Sequence, residues 1–407
     1  MASKDLERFL ALLPTSEAAS GIKLFDDLVK DPANAGPILQ ELLLVASNHE
    51  DPQLHTPHGL LTVRAARDAL LLTRPPRGIG LLRFLVLYTF SMPKRKLTPE
   101  AAAAVARAVP AGSRDELGQA YVKAVHGGLG AQAAALVGRL ALDHGLEAAA
   151  HLVVRASLGD IGRLGHNLSA AAGYAEAAMV LGRPKGLVPL ANLAHLQAVL
   201  LPGTKEAEIP ALGEGRDGEP DVDRLAELVE AWEFDRVESV LRALAFEGEA
   251  DAAYGPLLVA ASADPGFLGH TLSLVHDARV ASRHLTPAEN AWLLWKMYRT
   301  LTTRFGYPEF LRLGPPGALD RESVLEALDS SLRHKTPPAE TTLRQVLESG
   351  VPLEDLLARI VDAYGAWTVG EKDHTISYLN AALQTARFLG KDEALLPLAI
   401  ALGKLPF

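Results

Sequence analysis

The sequence predicts an all-α protein of roughly twenty helices on the usual length scale, set in antiparallel hairpins and packed as a large helical bundle or compact helical array. Alanine and leucine dominate every segment, and alternating β-branched runs are nearly absent. Proline recurs where helices should start, a position at which its missing N–H costs nothing.

Taken in order, LERFLALL opens the chain as an amphipathic helix, followed by EAASGIKLFDDLVK and GPILQELLLVASN. Thr56-Pro57 should cap the next helix and place His58 in its first turn. GIGLLRFLVLYTF is apolar all round and should be central. The Lys94-Arg95-Lys96 run that follows reads as a solvated loop, and alanine-rich helices fill the stretch from Pro99 to Arg155. Start signals are the capping box at Ser113-Arg-Asp-Glu116, Asp320, and Thr286-Pro287. Gly182, Gly350 and Gly390 read as C-terminal caps. The acidic, Gly- and Pro-rich stretch 202–221 is the best boundary, dividing an N-terminal helical half, 1–201, from a C-terminal half, 222–407. No fixed-length repeat defines a named solenoid.

The 407 residues are 48% hydrophobic, enough for a large buried core. A formal charge of -9 argues against nucleic acid, whose phosphates demand a cationic surface. With no cysteine, disulfides, iron–sulfur clusters and thiolate chemistry are excluded. No apolar run is long enough for a membrane span and the N-terminus does not read as a signal peptide, so the expected location is the cytoplasm. Chemistry must come from His, Asp, Glu, Tyr, Ser or a bound cofactor.

The stretch that stands out is Ser157 to Gly182, where His166 heads a helix of small residues. On a 3.6-residue period His166, Ser169, Ala170, Gly173 and Ala177 share one nearly bare face. Two readings are open: a tightly packed core helix whose histidine bonds a carbonyl, or a wall against which a ligand approaches His166. Of thirteen histidines, His58, His166, His276 and His374 each open or punctuate a small or apolar helix, where an imidazole must find a partner. His270 and His276 are too far out of phase to face one site together. Tyr378 lies one turn beyond His374. HExxH, G-x-S-x-G, Walker and dinucleotide signatures are missing, as are paired E-x-x-H motifs.

Four segments, SNHEDPQLHTPHGLLTVRAARDAL, GRLGHNLSAAAGYAEAAMVLG, SLVHDARVASRHL and EKDHTISYLNAALQTARF, are similar in order and spacing to segments of the questin oxidase-like family. The resemblance implies a large helical protein that carries out Baeyer–Villiger-type oxygenation of an aromatic substrate with NADPH and dioxygen. The matching positions are His58, His166, Tyr174, Glu176, His276 and His374. The sequence departs from that pattern in its longer loop with His49 and His55, in Asn167, and in Ile376-Ser377.

The expectation is therefore an oxidoreductase acting on a small apolar or aromatic substrate. His58, His166, His276 and His374 would hold iron, zinc or copper, which imidazole suits. His166 would act with Tyr174 or Tyr378 as proton donor and with Glu176 orienting an imidazole. The alternative is a non-catalytic helical-repeat protein that binds a protein or an apolar ligand.

Overall fold

The computed structural model describes the chain except residues 1–2, 51–57, 74–76, 202, 204–217, 302–312, 315–319, 335, 337, 368–372 and 405–407. The fold is all-α, as the composition predicts, with twenty-one α-helices and no strand among the described residues. Among the described residues a single antiparallel bridge joins His49 to Lys94. No described helix is long and apolar enough to cross a membrane. His55, Thr56, Pro57 and most of the 202–221 stretch lie outside the described residues.

The local signals act as read. Ser113 accepts from Glu116 N while the Glu116 carboxylate accepts from Ser113 N, a reciprocal capping box. Asp320 caps its helix through Glu322 N and Ser323 N. Thr286 and Glu289 bond each other's backbone amides at the head of the following helix. Gly182, Gly350 and Gly390 all end helices with positive φ.

The chain forms two compact units, each assembled from three separate stretches. The first comprises Met1–Arg64, Val86–Glu214 and Asp277–Leu293; the second comprises Ala65–Leu85, Gly215–His276 and Leu294–Phe407. In the first unit, α8 (Gly130–His144) packs against α6 (Pro99–Arg107), α7 (Arg114–His126), α9 (Leu146–Ser157) and α11 (Leu187–Leu200). Helix α10 (His166–Leu181) lies against α9 and α11 and is buried on every side from Asn167 to Ala175, because its small side chains let neighbouring backbones approach. Buried amides stitch these helices together: Asn192 donates to Ser47 O and Asn48 Oδ1, and Gln197 donates to Val153 O and Ser157 Oγ and accepts from Tyr121. In the second unit α12 (Val222–Ala231), α13 (Phe234–Phe246) and α14 (Ala250–Ala263) pack mutually, and α14 also meets α20 (Asp373–Leu389) and α21 (Leu395–Lys404). Trp232, Phe234, Trp295 and Tyr298 form an aromatic cluster there.

One surface expectation is corrected. Lys94 is not a solvated loop cation: its ammonium donates to the carbonyls of Leu13, Thr15 and Thr89 at 3.4, 3.3 and 2.6 Å, and burial pushes its pKa down. Basic runs read as solvated only when no cluster of helix-end carbonyls is within reach of the long stem.

Candidate functional site

In the first unit two helix heads present histidines. His58 begins α4 (His58–Leu70) and His166 begins α10. The entry to α10 is tightly specified. Asp160 Oδ1 accepts from Gly162 N at 2.8 Å, and Asn167 Nδ2 returns a bond to Asp160 O at 3.1 Å. Gly162, Leu164 and Gly165 then take positive φ values of 81, 56 and 86°. A Cβ at Gly162 would sit 2.9 Å from Asn167 N, so only glycine fits there. Leu164 has no such excuse; its left-handed backbone costs on the order of 1–2 kcal/mol. The head of α4 is held by His49, whose Nδ1 accepts from Gly59 N at 3.4 Å and whose ring leaves no room for a Cβ on Gly59.

These turns bring the Nε2 atoms of His58 and His166 to 3.3 Å, with ring centroids 5.4 Å apart and planes at 67°. As a hydrogen bond, the contact needs one Nε2 protonated and the other bare. The same spacing suits a shared cation: two nitrogens about 2.0–2.1 Å from a tetrahedral zinc lie roughly 3.3–3.4 Å apart. Within the first unit the pair offers two imidazole nitrogens to one ion.

One and a half turns beyond His58, the Arg64 guanidinium is buried at 4% exposure. Its Nε donates to Glu176 Oε2 at 2.5 Å and its Nη1 to Asp277 Oδ1 at 2.7 Å, joining α4, α10 and the start of the 277–293 stretch. Gly173 lies opposite, and its missing side chain makes room for Leu61 and Arg64. The small-residue face seen in the sequence thus accommodates α4.

Of the proposed catalytic residues, Glu176 is engaged by Arg64. Tyr174 is buried, and burial pushes its phenol pKa well up, so it keeps its proton at neutral pH. Burial does the same to Tyr378 in the second unit. His276 is buried at 6% exposure, midway along α15 (His270–Ser282). His374 stands at the head of α20 with its ring 4.9 Å from that of His270. His270, first residue of α15, carries a sequence signal of its own, the G-x-L-G-H it shares with His166.

The fold and site define a large all-α protein with histidines at helix heads and a buried Arg64 ion cluster behind the His58–His166 pair. No family model, curated protein or solved structure matches the chain.

Proposed function

We propose that the protein is a metal-dependent oxidoreductase of the questin oxidase-like kind, with His58 and His166 as ligands in the first unit. The reading is carried by the 3.3 Å approach of the His58 and His166 Nε2 atoms, a spacing that suits ligands of one ion. Imidazole favours zinc, copper or iron over harder cations. A bound redox metal would supply dioxygen chemistry, with NADPH as electron donor. The chain's own residues would fix the site. Arg64 locks α4 to α10 through Glu176 and so sets the distance between the two helix heads. Tyr174 keeps its proton and can donate it in a hydrogen bond. A flat aromatic ketone is the substrate class: one oxygen atom enters beside its carbonyl, the other leaves as water, and NADPH supplies two electrons.

The test is elemental analysis of tag-free protein with the single variants His58→Ala and His166→Ala. About one metal per chain, lost in both variants, supports the reading. Protein that takes up no zinc, iron or copper even on titration refutes it. NADPH consumption dependent on an aromatic ketone then tests the reaction.

One observation favours a second reading, a non-catalytic binding protein. A groove of about 580 Å³ in the second unit is lined by apolar Val229 and Val259 and by Asp223, Glu230, Asp392 and Glu393. Ligand screening against the metal-free protein, read by thermal shift, separates the two.

A further inference from the structure

The turn that aims His166 occurs twice. Residues 160–169 read DIGRLGHNLS and residues 264–273 read DPGFLGHTLS. The likeness extends to the backbone and its bonds. Gly266, Leu268 and Gly269 have φ of 73, 50 and 79°, matching Gly162, Leu164 and Gly165. Asp264 Oδ1 accepts from Gly266 N as Asp160 Oδ1 does from Gly162 N. Gly269 N reaches Gly266 O at 3.2 Å and Gly165 N reaches Gly162 O at 3.1 Å. Thr271 N bonds Pro265 O at 2.9 Å, and Asn167 N bonds Ile161 O at 3.0 Å. A leucine in left-handed conformation is rare and costly. Finding it twice, between two glycines and directly before a helix-heading histidine, argues for one device used twice.

The surrounding helices keep the same register. The heads of α8 and α13 (Gly130 and Phe234), of α9 and α14 (Leu146 and Ala250), and of α10 and α15 (His166 and His270) are separated by one constant offset. The partner histidines follow suit. His58 heads α4, which is followed by α5 (Ile79–Ser91), and His374 stands at the head of α20, which is followed by α21 from Leu395, at equal distances along the chain. In each unit the turn-borne histidine meets the partner's ring: His166 with His58, and His270 with His374.

Building on the metal reading above, we infer that the chain is an internal duplication and that His270, not His276, is the second unit's counterpart of His166, a metal-binding residue paired with His374. The local chemistry fits. His270 Nδ1 donates to Phe267 O at 2.5 Å, which fixes the proton on Nδ1 and makes Nε2 the basic nitrogen of the ring, the arrangement found in metal-ligating histidines. His276 occupies the register of Ala172, a buried position without a role in the duplicated turn.

The test is a zinc titration of the full-length metal-free chain against a competing chromophoric chelator. His166→Ala and His270→Ala should each weaken zinc binding about tenfold or more, the range for losing a ligand or its direct support, and His276→Ala by less than about twofold. His270→Asn serves as the second variant, because its amide can still donate to Phe267 O while the Nε2 ligand is gone. It should fold with a wild-type melting curve and lose affinity as His270→Ala does. Wild-type affinity in His270→Asn, with loss in His58→Ala and His166→Ala, overturns the inference and leaves the metal reading standing. A wild-type chain that binds no zinc, copper or iron overturns both.

Discussion

Replacing Arg64 with alanine should be the most damaging single change in the first unit outside its apolar core. The guanidinium is 4% exposed and bonds two carboxylates on different segments at 2.5 and 2.7 Å. The side chains of Glu176 and Asp277 are 22% and 11% exposed, so neither can recover full hydration when the cation is lost. Removing one partner of a buried pair costs about 3–5 kcal/mol, mostly because a charge is left stranded. For a unit of this size about 1 kcal/mol moves Tm by roughly 2–4 °C, so the fall should be on the order of 6–20 °C by calorimetry. Arg64→Lys should recover only part of it, since an ammonium cannot present the same fork. Replacing Arg64, Glu176 and Asp277 together with methionine, leucine and leucine should restore most of the loss, because no charge then remains to be desolvated. A Tm within about 2 °C of wild type for Arg64→Ala, well short of the cost of a stranded buried charge, would refute the electrostatic account.

Three further changes test other parts of the structure. Glu289 is held at about 2, below its ordinary 4.5: burial opposes ionisation, but bonds from His151 and from the Thr286 amide and hydroxyl outweigh it. Its contribution, on the order of 3 kcal/mol, is full above about pH 5 and lost as pH falls toward 2; in urea titrations Glu289→Gln should flatten that slope, and an unchanged slope counts against it. Leu164→Gly and Leu268→Gly should each relieve left-handed strain and raise stability by about 1 kcal/mol in chemical denaturation; equal losses instead would show that the side chains contribute more than their backbone costs. Gly173→Val should force α4 away from α10, since a Cβ there would already lie 2.8 Å from Leu61 Cδ2, with about 1–3 kcal/mol lost and metal content reduced; intact metal content would mean the helix heads are placed by other contacts.

Sequence alone determined the local structure. Ser113-x-x-Glu116, Asp320 and Gly350 mark helix ends through bonds made within a few residues, and such bonds do not depend on the rest of the fold. The small-residue face of α10 and the prominence of His58, His166 and His374 were legible for the same reason: periodicity fixes which residues share a face. The repeated D-x-G-x-L-G-H turn was equally present in the letters, but its meaning came from the positive φ at Leu164 and Leu268, a conformation that leucine gives no reason to expect. What the tertiary structure decided was partnership. His58 and His166 stand 108 residues apart, and Arg64 and Asp277 stand 213 apart, so no local preference could pair them. Glu176 illustrates the point: its phase on α10 could be read from the sequence, but the guanidinium it meets is brought there only by the packing of α4 across Gly173. A helix carries the phase of its side chains in its own sequence and the identity of its neighbours only in the summed packing of the whole chain.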